Sequence, residues 1–136
     1  MAGYSATPLA KKLGIKEGFS IALHNAPEYY WDLFTDLPGN LDICNGLGED
    51  KQDFIHIFCT DLEELVSVAS PYKEMLKMDG ILWVSWPKGT SKIQTDLKRE
   101  PVRDHLLSLG LVDTKVAAID EDWSGLKFVY RLRDRK

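Results

Sequence analysis

Phe19-Ser20-Ile21-Ala22-Leu23-His24, continued by Asn25-Ala26-Pro27-Glu28, decides how this chain folds. The first six residues are a short apolar run between Gly18 and Pro27 and read as a strand. A nucleotide-binding α/β domain carries a glycine-rich turn directly after such a strand. Only glycine lets backbone N–H groups approach a phosphate or sulfonium closely there. No glycine stands between His24 and Glu28. The expectation is an α/β domain without its usual cofactor loop.

Upstream, a short helix has Thr7 to cap it, Pro8 in its first turn, Leu9 and Leu13 on one face and Gly14 as its stop. Downstream, residues 28–34 read as a helix presenting Tyr29, Tyr30, Trp31 and Phe34. It serves either as a heavy cover for the core or as a surface for stacking a ligand. Leu41-Asp42-Ile43-Cys44 reads as a short strand. Phe54-Ile55-His56-Ile57-Phe58-Cys59 is nearly continuous in apolar residues, as a central strand buried on both faces is. Asp61 then caps a helix with Leu62, Leu65, Val66 and Ala69 at helical spacing. Pro71 either kinks it or opens a second segment capped by Ser70.

Gly80 precedes another central strand, Ile81-Leu82-Trp83-Val84-Ser85-Trp86, which ends at Pro87. After a polar loop over 88–95, Pro101 sits in the first turn of a helix stopped by Gly110. Two last strands, near 114–120 and 126–132, flank an Asp122-Trp123-Ser124-Gly125 turn whose Trp would cover the open edge of the sheet. This alternation predicts a three-layer α/β sandwich: a mostly parallel sheet, helices on both faces and a C-terminal antiparallel hairpin closing one edge.

The 136 residues, 44% hydrophobic and 28% charged, are expected to form one domain over 1–136. Seventeen basic against twenty-one acidic residues give a net charge of −4, which argues against nucleic acid as the main partner. No apolar run is long enough to cross a bilayer, and Met1-Ala2-Gly3-Tyr4-Ser5 has no signal-peptide pattern. Cys44 and Cys59 read as buried free thiols. A cytoplasmic protein without membrane contact is expected.

The order of elements resembles the core of class I S-adenosylmethionine-dependent methyltransferases. Asp53-Phe54-Ile55-His56-Ile57 is similar to the acidic-hydrophobic start of that family's fourth strand. Residues Leu76-Lys77-Met78-Asp79-Gly80-Ile81-Leu82-Trp83-Val84 resemble the leucine-lysine-proline-glycine-glycine run into its fifth, and Gly110-Leu111-Val112 the turn before its terminal hairpin. The family's functional motifs have no counterpart. The cofactor turn falls on His24-Asn25-Ala26-Pro27, the ribose-binding acid on Cys44-Asn45, and the catalytic motif on Cys59-Thr60-Asp61-Leu62. No cofactor is therefore carried over. A second resemblance is to a family of small bacterial proteins classed as a domain of unknown function. It rests on Gly3-Tyr4-Ser5, Thr7-Pro8-Leu9, Lys11-Lys12-Leu13-Gly14-Ile15, Trp86-Pro87-Lys88, Thr95-Asp96-Leu97, Asp120-Glu121 and Trp123-Ser124-Gly125-Leu126-Lys127-Phe128. It implies a bacterial, methyltransferase-like protein and no particular chemistry.

Ligands of open α/β sheets bind beyond the carboxyl ends of the strands. The candidate ligand-binding residues are accordingly His24, Asn25, Thr60, Trp86 and Lys88, with Lys92, Ser91 and Thr90 able to meet an anion. Asp96 either orients Lys88 or caps the chain locally. His56, inside a core strand, reads as structural. Three histidines and two cysteines at scattered positions offer no metal spacing, and no metal site is expected. Three functions remain open. They are a non-catalytic binding or interaction domain, an enzyme acting on a small anionic substrate, and a homodimer joined through its last strand or the 29–34 helix.

Overall fold

In the computed structural model, residues 8–134 are described. Six strands form one sheet: β1 (Ser20–His24), β2 (Asp42–Asn45), β3 (Gln52–Phe58), β4 (Leu76–Pro87), β5 (Leu111–Ala118) and β6 (Trp123–Tyr130). They lie in the order β2-β1-β3-β4-β6-β5. The first four run parallel, β6 is antiparallel to β4, and β5 is antiparallel to β6. Central strands β3 and β4 are buried along most of their length, as their unbroken apolar runs require.

Helices α2 (Leu62–Met75) and α3 (Arg99–Ser108) cover one face. There Leu65, Ala69, Tyr72, Val102 and Leu106 pack on Ala22, Ile55, Ile57, Val84 and Leu126. The other layer is thinner. It consists of α1 (Leu9–Leu13) and a 3-10 helix (Tyr30–Leu33), which bring Ala10, Leu13 and Tyr30 onto Ile21, Phe54, Phe58 and Trp83. Large side chains compensate for the short backbone: Trp83 is fully buried, and its indole N–H donates to the Leu13 carbonyl at 2.8 Å. The predicted α/β sandwich with helices on both faces and a C-terminal hairpin is the observed one.

The chain pins the start of its sheet through Asp53. One carboxylate oxygen accepts the Ser20 N–H at 2.8 Å and the other accepts the Lys77 ammonium at 3.0 Å. Gly80 lies close by, where a Cβ would meet the Lys77 and Asp53 carbonyls at 3.0 and 3.1 Å, so the backbone approach excludes a side chain. β4 begins at Leu76, ahead of that glycine, with the register against β3 shifting between Gln52 and Phe54. The expected strand start at Ile81 was therefore late.

The Thr7 cap lies outside the described residues; the two carboxylate oxygens of Asp36 accept the Ala10 and Lys11 N–H groups of α1 at 3.0 and 3.1 Å. Several expectations change. α2 runs continuously through Pro71, so no second segment capped by Ser70 opens there. The 28–34 segment makes only a single 3-10 turn. The last turn sits at 119–122, where Asp120 Oδ1 accepts the N–H groups of Asp122 and Trp123 at 2.8 and 2.9 Å. Asp122-Trp123-Ser124-Gly125 has turn-like composition, yet Trp123 begins β6 and is buried against Phe58 rather than over an open edge. β6 itself lies between β4 and β5, which leaves β5 at the edge and removes the last strand as an edge-pairing surface.

Candidate functional site

β1 has β2 on one side and β3 on the other, so the connections leaving β1 and β3 diverge at their carboxyl ends. That divergence opens the crevice where α/β sheets place ligands. His24 ends β1, and Asn25 follows with φ +53°. The left-handed bend that glycine commonly supplies is made here by asparagine, one of the few other residues that tolerates it. The left-handed bend at this strand end is thus made without glycine, by a residue that carries a polar side chain.

That side chain joins a network. Glu64, in the first turn of α2, accepts the Asn25 side-chain N–H at 2.6 Å on Oε2, and the same oxygen lies 3.1 Å from His24 Nε2. Its other oxygen accepts the Thr60 N–H at 3.3 Å. His24 Nδ1 is 3.2 Å from the Tyr72 hydroxyl, and the two rings meet edge to face. Asp61 caps α2 as expected, accepting the Glu64 N–H at 2.8 Å, and thereby fixes where Glu64 projects. Beneath lies Cys59, fully buried. Burial pushes its thiol up to about 12, and the nearby Glu64 and Asp61 carboxylates add to that rise. One donor atom each of His24, Cys59 and Glu64 lies within 4.8 Å of the others. No spacing along the chain could show this, since the three residues come from β1, the residue after β3 and α2. Glu64 was not singled out from sequence, where it reads as an ordinary first-turn helical acid.

A second site lies beyond β4. A cavity of about 400 Å³ is walled by Trp86, Lys88, Lys92, Thr95, Lys98 and Arg99, among others. Its polar loop is held from within. Ser91 Oγ donates to Asp122 at 2.9 Å, and Thr95 Oγ1 donates to the Thr60 carbonyl at 2.6 Å and accepts the Leu97 N–H. Asp96 neither orients Lys88 nor caps locally; it accepts the Leu62 N–H at 2.9 Å and so caps α2 from across the fold. The five candidate residues therefore divide. Trp86 and Lys88 line the cavity, His24 and Asn25 belong to the Glu64 network, and Thr60 ties the two together through its backbone.

At this strand end Glu64 bridges to His24 and Asn25, Pro27 has no N–H to offer, and β2 ends in Asn45, where the methyltransferase resemblance implies an acid. Among the described residues, no helix is long and apolar enough to cross a membrane.

No family model matches the chain, and no curated protein matches its sequence. Solved structures do match. Magnesium protoporphyrin IX methyltransferase from Synechocystis PCC 6803, with bound SAH, superposes with a TM-score of 0.64 at 10% identity, over 90% of this chain and 78% of that one. A SAM-dependent methyltransferase from Aquifex aeolicus gives 0.62 at 15%, over 88% and 86%. The tRNA methyltransferase TrmK from B. subtilis gives 0.57 at 15%, over 97% and 69%. At these identities the likeness is one of fold, and the chain has the fold of S-adenosylmethionine-dependent methyltransferases.

Proposed function

We propose that this chain is a non-catalytic, methyltransferase-like binding domain that takes a small anionic ligand in the cavity beyond β4. The observation that carries it is the Glu64 bridge from α2 to both His24 and Asn25, at the strand end where the resemblance would seat a cofactor. The cavity supplies the alternative. Lys88, Lys92, Lys98 and Arg99 are among its walls, against one carboxylate, Asp96, already engaged by the Leu62 N–H. Four cations together with Trp86 in the walls favour a phosphorylated or carboxylated small molecule. The Ser91 and Thr95 hydroxyls are committed to holding the loop, which supports binding over nucleophilic chemistry. The free thiols Cys44 and Cys59 accord with a cytoplasmic setting.

Calorimetry and thermal shift test this together. S-adenosylmethionine and its homocysteine product give no binding heat, while phosphate or a phosphorylated metabolite raises the melting temperature. A ligand at 100 times its Kd adds about 2.7 kcal/mol of stability, and Lys88→Ala with Lys92→Ala removes the shift. Micromolar binding of the adenosyl cofactor, or no response to any anion, defeats the proposal.

A further inference from the structure

We propose that His24, Cys59 and Glu64 form a binding site for a zinc-class divalent cation, with a fourth coordination position open to solvent or ligand. This goes beyond the anion cavity and involves different side chains. The three donor atoms already lie within 4.8 Å of one another, and His24 Nε2 and Glu64 Oε2 are 3.1 Å apart. Donors around a tetrahedral zinc sit roughly 3.3–3.6 Å apart, from bonds of about 2.0–2.3 Å. Small side-chain adjustments therefore suffice to close the site.

The donor set is chemically selective. Thiolate and imidazole favour zinc over magnesium or calcium, and three protein ligands with one position free is the arrangement of zinc sites that exchange a ligand. Charge also balances, because one thiolate and one carboxylate neutralise a dication. As the sulfur–metal bond forms, the S–H bond breaks and its proton leaves to the solvent.

The surroundings are those of a supported site. Tyr72 holds Nδ1 of His24 at 3.2 Å, which leaves Nε2 facing Glu64. The Thr60 N–H orients Glu64 Oε1 from the far side. Asn25 Nδ2 stands 2.6 Å from Glu64 Oε2 and 3.3 Å from His24 Nε2, so an electropositive group already occupies the position between them. Being exposed, Asn25 has room to swing aside. His24 and Glu64 keep 20% and 25% of their side chains accessible, which gives an ion a path to the buried sulfur.

The test uses the full chain, reduced and stripped by chelator, titrated with Co²⁺ and then Zn²⁺. The expected result is a one-to-one complex with a sulfur-to-cobalt charge-transfer band and the visible bands of a tetrahedral ion, both abolished by Zn²⁺. Cys59→Ser loses the charge-transfer band, and its zinc affinity falls by more than the roughly 10–100-fold that loss of a supporting outer group costs. Cys44→Ser keeps both. Glu64→Gln keeps the band and binds more weakly, and it serves as the second probe should circular dichroism show Cys59→Ser unfolded. A wild-type chain without the band, a band that persists in folded Cys59→Ser, or one that disappears in Cys44→Ser overturns the site. The phosphate response of the β4 cavity is read separately, so failure of either proposal is distinguishable from failure of the other.

Discussion

Two histidines on neighbouring parallel strands, facing opposite sides of the sheet, are each held between a tyrosine hydroxyl and a second oxygen. His56 Nδ1 is 2.9 Å from the Tyr30 hydroxyl and Nε2 is 2.7 Å from Ser85 Oγ. His24 has Tyr72 on one nitrogen and Glu64 on the other. The wiring is alike, but the settings differ. His56, Tyr30 and Ser85 are all fully buried, and every partner is neutral. His24 sits at the rim beside a carboxylate, with part of its ring in water. In a low-dielectric interior a neutral, saturated network fixes structure, because any added charge would be unsolvated. At the rim, a carboxylate beside a partly solvated imidazole leaves room for exchange with a cation. Burial, more than residue identity, separates the structural histidine from the functional candidate.

The sharpest break of this comparison is truncation. His56→Ala leaves a cavity and two buried hydroxyls without partners, and is expected to cost about 3–5 kcal/mol in denaturant unfolding. A cost below about 1 kcal/mol would equate the two networks.

Acid comes next. Burial lowers the His56 imidazole from its usual 6.5 to about 3, so the folded state keeps it neutral while the unfolded chain protonates it. Between those values the unfolded state binds the extra proton, and stability falls as pH falls, at up to about 1.4 kcal/mol per pH unit from this group. Above 6.5 the contribution is fully present. His56→Gln should flatten that portion of the stability-against-pH curve; an unchanged slope places its origin elsewhere.

Gly125→Ala probes the wall of the same network. A Cβ there would lie 3.0 Å from the Trp83 ring and 3.2 Å from Ser85 Oγ, and about 1–3 kcal/mol of destabilisation is expected from overpacking. The smallest effect belongs to the rim: His24→Ala should cost about 1 kcal/mol or less in the metal-free chain, since solvent screens its carboxylate pair. A loss equal to that of His56→Ala would make His24 a structural residue too.

Fold and site differed in how much of them could be read in advance. β1, β3 and the core of β4 stand out as apolar runs, and α3 shows its Pro101 opening and Gly110 stop, because these signals are local. The hairpin was displaced because Trp123-Ser124-Gly125 mimics turn composition. The actual turn depends on one Asp120 carboxylate reaching two N–H groups. Place at strand ends singles out His24, Asn25, Trp86 and Lys88 as candidates, but does not show that they divide between two neighbourhoods. Asp96 looked like a local cap because its true target, the Leu62 N–H, lies in another element.

Residue order alone determined the alternation of strands and helices, the layered sheet and the missing glycine after β1, since periodicity and backbone freedom act over a few neighbouring residues. Tertiary packing decided the rest. It placed Glu64 beside His24, put Cys59 beneath His24 and brought Tyr30 onto His56. Each of these depends on distances through space between elements, and hydrogen bonds and desolvation act over a few ångströms whatever the separation along the chain.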